Sequence, residues 1–317
     1  MKVISQSPNT RSLSVVVPVY NNAGSLEELN LSLLESLNLL IAIKCEIVYV
    51  DDGSLDDSFE ILTKIKENNK IETKLIRLAG NFGQVNAILA GVDHAKNELI
   101  ATISADLQDP PEIIIEMHRA LGKNGRIGIA ERESRDDSFF MSLASRITYR
   151  IMRVQNKKIP KGGFDCWILD SKIAKYVLNR SKISSMRQMN FFDSGSEVHV
   201  VSYRRRERSH GSSGYSFARK LEMFIEVIAM SFGKLASYLV ILGFSIALFS
   251  ILLFSVVLYA YSQNKVPFQG FTFIVGLITL FGSFLMIAVG AVLVLVLRQG
   301  EALSNHNRYV IDEIIQP

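Results

Sequence analysis

Two cysteines in 317 residues cannot staple a chain of this length, so a disulfide scaffold is excluded. One tryptophan, seven prolines and 20 glycines leave no room for a collagen-like or low-complexity composition. The net charge is only +4, too small for a nucleic-acid-binding protein without a local patch. No G-x-G-x-x-G follows the first apolar run and no G-x-x-x-x-G-K-[ST] occurs anywhere. Dinucleotide oxidoreductases and P-loop enzymes thereby lose their main support. The five histidines (His94, His118, His199, His210 and His306) stand apart and show no zinc spacing. The first residues, MKVISQSPNTRSLSVVV, hold no signal-peptide apolar core, so the front of the chain is expected to stay cytosolic.

Charge is missing from one region above all. No charged residue lies between Leu235 and Asn264, and none between Val266 and Leu297. This is where the apolar excess behind the mean hydropathy of +0.21 sits. A helix of about 20 apolar residues spans a bilayer core, and each run is long enough. The link SQNKVPFQG is polar and carries Pro and Gly, so the runs read as a transmembrane hairpin, 235–261 and 271–297. Arg219, Lys220 and Lys234 precede it, Arg298 and Arg308 follow it, and the link holds only Lys265. The positive-inside rule then predicts a multi-pass protein of the inner (plasma) membrane with both termini cytoplasmic. Cys45 and Cys166 sit singly in strand-like stretches, as small buried hydrophobes in a reducing compartment.

Residues 1–234 hold 32 basic and 28 acidic side chains, and the remaining 83 hold three of each. In this front part, β-branched runs occur at Leu13–Val19, Glu46–Val50, Lys74–Leu78, Leu99–Ile103 and Ile127–Ala130. Helical-period stretches lie between them at Ser25–Leu40, Asp56–Glu67, Gln84–Ala95 and Pro111–Leu121. That alternation predicts an α/β fold with a mostly parallel, doubly wound sheet. Such sheets bind ligands at the carboxyl ends of their strands. The residues there are Pro18-Val19-Tyr20-Asn21-Asn22, Asp51-Asp52-Gly53-Ser54 and Ser104-Ala105-Asp106-Leu107-Gln108-Asp109. Each alone is a weak signal, and Asp52-Gly53 reads equally well as a structural turn. Three at successive strand ends bring polar and acidic groups to a single edge.

VVVPVYNN, YVDDGS, NFGQVNAILAGVDHA and SADLQDPPE resemble the successive motifs of inverting family 2 glycosyltransferases with a GT-A (Rossmann-like) fold. More narrowly they resemble the polyprenyl-phosphate sugar transferases, over roughly residues 12–220. The resemblance implies a nucleotide-sugar donor held by Asp51 and Asp52, with Pro18, Tyr20 and Asn22 as the nearby wall and Gly83, Gln84 and Ser104 also on the donor side. It implies Mg²⁺ or Mn²⁺ at a motif that in the family reads Asp-x-Asp-x-Gln. Oxygen ligands suit such a cation, which neutralises a diphosphate leaving group. In this chain Asp106 and Gln108 are kept and Ser104 replaces the first carboxylate, which is expected to change donor preference or weaken metal affinity. Gly80 stands where relatives commonly have Arg. Asp165, in GGFDCW, matches the acceptor-side carboxylate and is the candidate base or positioning group. A phosphate monoester, with a second pKa near ~6, is already anionic at neutral pH and has little need of a base.

The stretch 204–220 carries six Arg and Lys against one Glu, more than the whole-chain surplus. It fits the family pattern Tyr-x-Arg-x-x-Arg-x-x-Gly-x-Ser-x-Tyr, by which Arg205, Arg208 and Ser213 grip a lipid phosphate. Guanidinium forks suit that geometry, while Arg204 and Arg206 are left to face anionic headgroups. Residues 215–233 read as a juxtamembrane amphipathic helix. The chain is thus divided into a GT-A domain (1–214), that helix, two spans and a cytoplasmic tail (298–317). The expected reaction moves a hexose, UDP-linked by the resemblance, to polyprenyl (undecaprenyl) phosphate at the cytoplasmic face, for surface polysaccharide or envelope glycosylation. A transferase to a hydroxyl of a lipid-linked glycan, or a non-catalytic partner with a degenerate metal motif, are the alternatives. The partners implied are donor, lipid acceptor and bilayer but no nucleic acid, with the oligomeric state, a homo-oligomer included, left open.

Overall fold

A computed structural model describes residues 10–132, 164–180, 191–192, 194–206, 217–263, 270–303 and 309–316. Within those helices, the side chains of 177–180, 217–237, 260, 270–273 and 297–303 are not part of the description. The chain divides into two units, Met1–Met223 with His306–Pro317, and Phe224–Asn305.

In the first unit β1 (Leu13–Val19), β2 (Cys45–Asp51), β3 (Glu72–Leu78) and β4 (Leu99–Thr102) alternate with α1 (Leu26–Asn38), α2 (Ser58–Asn68) and α3 (Gln84–His94). Then come α4 (Glu112–Leu121), β5 (Ile127–Arg132), β6 (Trp167–Asp170), α5 (Ser171–Arg180) and β7 (Val198–Tyr203), and near the end of the chain β8 (Ile311–Ile315). The eight strands form one sheet in the order β7-β5-β6-β4-β1-β2-β3-β8. β1 is buried at every position, as a strand covered by helices on both faces must be. Pro18 is tolerated in it because pairing with β4 stops at Val16.

The neighbouring pairs from β4 through β1 and β2 to β3 are parallel, the doubly wound core that the alternation predicts. Outside it the sheet is mixed. β6 runs antiparallel to both β4 and β5, and β8 antiparallel to β3. The segment 298–317, read from the sequence as a tail, therefore contains a strand of the first unit's sheet. Leu29, Leu33, Leu62 and Ile113–Ile115 pack from the helices onto Val15, Val17, Ile47, Tyr49 and Leu99. This core fixes the strand ends on which the polar residues stand.

The second unit is built on α6 (Phe217–Ser262) and α7 (Gly270–Leu303). Their segments Tyr238–Tyr259 and Ile274–Val296 are long and apolar enough to cross a membrane. α6 is continuous from Phe217, so no break separates the expected juxtamembrane helix from the first span. The amphipathic character expected for 215–233 falls on side chains outside those described. Small residues let the helices approach: a Cβ on Gly243 would lie 2.7 Å from Cγ1 of Ile287, and Ser250 bonds Thr279 at 3.2 Å. Large apolar side chains such as Phe244, Phe249 and Phe281 stay exposed, which suits lipid far better than water.

Candidate active site

At the end of β2, Asp51 and Asp52 are both buried. Each oxygen of Asp52 accepts a backbone N–H, from Phe82 and from Gly83, both at 2.8 Å. Burial nevertheless pushes its carboxyl up to about 6 against those hydrogen bonds. Asp52 thus ties the β2 turn to the loop 80–83 after β3. Gly53, at φ +69°, makes that approach feasible, since a Cβ there would meet the Gly80 carbonyl carbon at 2.5 Å. A Cβ on Gly80 would meet nothing within 4 Å, so packing does not demand a glycine at this position.

Asp51 accepts the Ser54 N–H at 3.3 Å through Oδ1. Its Oδ2 has no hydrogen bond and lies 3.8 Å from Nε of Arg77, whose guanidinium covers the Phe59 ring at 4.3 Å. Burial raises the Asp51 carboxyl as well. At the end of β1, Tyr20 is exposed, and its N–H donates to Oδ1 of Asn22 at 3.1 Å. Asn21 takes a left-handed φ of 52° and accepts the Leu55 N–H at 2.8 Å, which fastens the ends of β1 and β2 together. Pro18, Tyr20, Asn22, Asp51, Asp52, Gly83 and Gln84 therefore stand on the connected strand ends of β1, β2 and β3. Of these, Asp52 is already committed to the loop.

The second cluster begins after β4. Leu107, buried at 5% exposure, sits at φ 59° between Asp106 and Gln108. A bulky residue in that region costs about 1–2 kcal/mol, so the turn is imposed by its packing rather than preferred locally. The Ala105 carbonyl accepts the Ser25 hydroxyl at 2.7 Å and the Gln108 carbonyl accepts the Arg206 N–H at 2.8 Å, which clamps Ser104–Gln108 between α1 and the end of β7.

Arg205 faces three carboxylates, Asp165 at 3.3 Å, Asp109 at 3.5 Å and Asp106 at 4.0 Å. Arg132, the last residue of β5, forms an ion pair with the same oxygen of Asp165. Asp109 is fully buried; its Oδ1 accepts the Tyr203 hydroxyl at 2.5 Å and its Oδ2 has no hydrogen bond. Burial raises Tyr203, and the Asp109 charge adds to that; burial likewise raises the thiol of Cys166. Asp165 is flanked by Phe164, whose ring meets those of Phe191 and Phe192 edge-on at 5.5 Å.

The structure thus brings Asp106, Asp165 and Arg205 together, while Arg208 and Ser213 lie outside the described residues. Sequence reading passed over Arg132, Asp109 as a partner of Arg205, Tyr203 as its support, and Arg77 beside Asp51. Two signals were legible: Asp109 belongs to the quoted SADLQDPPE motif, and Tyr203 opens the arginine-rich pattern.

Among the described residues no group of three or more His, Cys, Asp or Glu could hold a metal ion by itself. The Ser104, Asp106 and Gln108 side chains offer oxygen donors with a single carboxylate. That set fits Mg²⁺ or Mn²⁺ held jointly by one carboxylate and a ligand's phosphates.

The fold and the family that the sequence matches define an α/β glycosyltransferase of the GT-A type. The chain belongs to glycosyl transferase family 2 (Glycosyl transferase family 2), whose model matches residues 14–178. It is 32% identical over 246 residues to the undecaprenyl-phosphate 4-deoxy-4-formamido-L-arabinose transferase of Klebsiella pneumoniae subsp. pneumoniae, covering 76% of this chain and 74% of that one. The enzyme of the same name from Edwardsiella ictaluri is 31% identical over 247 residues, covering 74% and 75%. Among solved structures, glucosyl-3-phosphoglycerate synthase from Mycobacterium tuberculosis with Mn²⁺ and UDP-glucose is similar at 14% identity and TM-score 0.46, covering 69% of this chain and 77% of that one.

Proposed function

We propose that the protein transfers a hexose from a UDP-linked donor to undecaprenyl phosphate at the cytoplasmic face of the membrane, with inversion at the anomeric carbon. The observation that carries this reading is Arg205, a guanidinium of the kind that suits a phosphate, set among Asp106, Asp109 and Asp165 at the carboxyl edge of the sheet. The curated relatives from Klebsiella and Edwardsiella, named for undecaprenyl phosphate, support the acceptor.

The donor lies against the ends of β1, β2 and β3, where the buried Oδ2 of Asp51 offers an acceptor for an N–H of the base. Asp106, with Gln108 and Ser104, would hold Mg²⁺ or Mn²⁺, which neutralises the departing diphosphate. Arg205 and, by the family pattern, Arg208 and Ser213 orient the acceptor phosphate. An oxygen of that phosphate forms the new bond to the anomeric carbon as the bond to the nucleoside diphosphate breaks on the opposite side. The attacking oxygen carries no proton at neutral pH. Asp165, engaged by Arg132 and Arg205, accordingly serves to aim Arg205 and the reacting groups rather than to remove a proton.

Connectivity supports the hairpin. β8 follows both apolar helices and yet pairs with β3, so an even number of crossings is needed to return the chain to the side of its own sheet. The positive flanks support the cytoplasm as that side.

The test uses membranes containing the full chain, Mg²⁺ or Mn²⁺, undecaprenyl phosphate and labelled UDP-hexoses, with UDP-4-deoxy-4-formamido-L-arabinose as a parallel donor. The expected product is an organic-extractable, mild-acid-labile lipid bearing one hexose with the anomeric configuration inverted. Label from the arabinose donor alone would overturn the hexose. Label only in a longer glycan would replace the acceptor by a hydroxyl, and none from any donor would favour a non-catalytic partner.

A further inference from the structure

The C-terminal strand is joined to the donor side of the site at several points. The Ala79 N–H, immediately before the loop 80–83, donates to the Val310 carbonyl at 2.9 Å. The Tyr309 hydroxyl donates to Oδ2 of Asp93 at 2.8 Å, on α3, the helix that the same loop enters through Gly83. Strand register sets Glu313 opposite Arg77, and Arg77 opposite Asp51. The pairing is bulged between Arg77 and Leu78, where β3 turns into the loop. Phe82 and Gly83 in turn donate to Asp52.

We propose that residues 309–315 are a positioning element of the donor site, a strut that holds the loop 80–83 and the start of α3 in the arrangement that binds the nucleoside diphosphate. The inference rests on the donor reading above. Without β8, β3 becomes the sheet edge and the Ala79 N–H loses its partner. Edge strands with unpaired backbone groups open more readily than central ones. The loop would then be held by Asp52, whose carboxyl is buried and already raised, and from its α3 end by the Asn86 side chain, which donates to the Phe82 carbonyl at 2.7 Å. The stretch lies more than 200 residues beyond the loop in the chain, so it acts through its pairing with β3 and its bond to α3.

The experiment compares the full chain in detergent or nanodiscs with a variant ending at residue 308 and with Tyr309→Phe. Amide hydrogen exchange is read at residues 79–94, and UDP and GDP affinities are measured with Mn²⁺ present. The strut predicts that truncation speeds exchange over 79–86 by about tenfold or more and weakens nucleotide binding in proportion, with β1 and β4 as protected as before. A peptide of residues 305–317 added in excess should restore both. Unchanged exchange at 79–86 in the truncated chain overturns the strut. Faster exchange with unchanged nucleotide affinity overturns its role in the donor site. If truncation removes protection everywhere, Tyr309→Phe decides: faster exchange in α3 and weaker nucleotide binding support the proposal, and no change in either overturns it. A full chain that binds neither nucleotide removes the donor reading itself, and the proposal falls with it.

Discussion

At the end of β2 the carboxylates are buried and held mainly by backbone N–H groups, whereas those beside the ends of β4, β5 and β7 are held by guanidinium groups. Asp52 spends both oxygens on the loop 80–83, and Asp51 has Ser54 and a distant Arg77. Asp106, Asp109 and Asp165 share Arg205, and Asp165 also has Arg132. Backbone-held acids make a rigid surface of hydrogen-bond acceptors, suited to a base and sugar hydroxyls. Three acids facing two guanidiniums make an exchangeable network, in which a cation can take Asp106 and a phosphate can take Arg205. Under the proposed function the first half selects the donor, and the second receives charge.

The largest effect should come from breaking the second half at its cation side. Asp106→Asn removes the carboxylate of the proposed Ser104, Asp106 and Gln108 metal set, and turnover should fall on the order of 10³-fold, as when a principal electrostatic group is lost. Mn²⁺ titration of activity checks it: the variant should need far more metal, while thermal stability barely changes. Next comes Arg205→Ala, which should raise the acceptor KM and lower kcat/KM by about 10²-fold while donor KM stays within twofold. Arg205→Lys should recover only part, because an ammonium cannot reproduce the fork. Equal losses toward donor and acceptor would erase the contrast between the halves.

Much of this was open to sequence reasoning, for physical reasons that also mark its limit. β1 to β5 and α1 to α4 are local: runs such as Leu13–Val19 and the 3.6-residue period of α4 show themselves without a partner. Asp51, Asp52 and Asp106 follow from strand ends. β8 does not, because IDEII is five residues with two acids, and its partner Glu72–Leu78 lies far back in the chain. β6, four residues inserted antiparallel between β5 and β4, is equally dependent on a sheet that already exists. The Asp109–Tyr203 pair joins positions 94 residues apart, and no spacing rule connects a buried acid after one strand with a tyrosine ending another.

The first half can be tested by pH. Asp52 lies at about 6, above the ordinary 3.8, because burial opposes its charge. A carboxyl raised in the folded state binds its proton more tightly there than in the unfolded chain. Its contribution to stability is therefore full below pH 3.8 and is lost as pH rises through about 6. Compared with Asp52→Asn, the native chain should lose on the order of 3 kcal/mol of relative stability across that window and nothing further above it. Denaturation midpoints of both proteins at pH 4, 5, 6, 7 and 8 measure the difference. A gap that widens in favour of the native chain as pH rises would mean that the Phe82 and Gly83 N–H groups outweigh burial.

The finest probe of the second half is Tyr203→Phe. The change removes one hydroxyl, whose bond to Oδ1 of Asp109 is 2.5 Å long, and leaves the buried acid with Arg205 as its partner. Asp109 then draws Arg205 more strongly toward itself and away from the acceptor. Acceptor KM should rise about fivefold, with donor KM and kcat near their original values, an effect on the order of 1 kcal/mol. Loss of a buried hydrogen bond also lowers stability by about 1–3 kcal/mol, so a drop in activity alone would not show that Tyr203 works through Arg205. A double-mutant cycle separates the two. If Tyr203 acts by aiming Arg205, the acceptor KM of the Tyr203→Phe, Arg205→Ala double variant should match that of Arg205→Ala alone, because nothing remains to be aimed. If the two effects multiply, the tyrosine supports the fold and the guanidinium finds its direction from Asp165 and Asp106 instead.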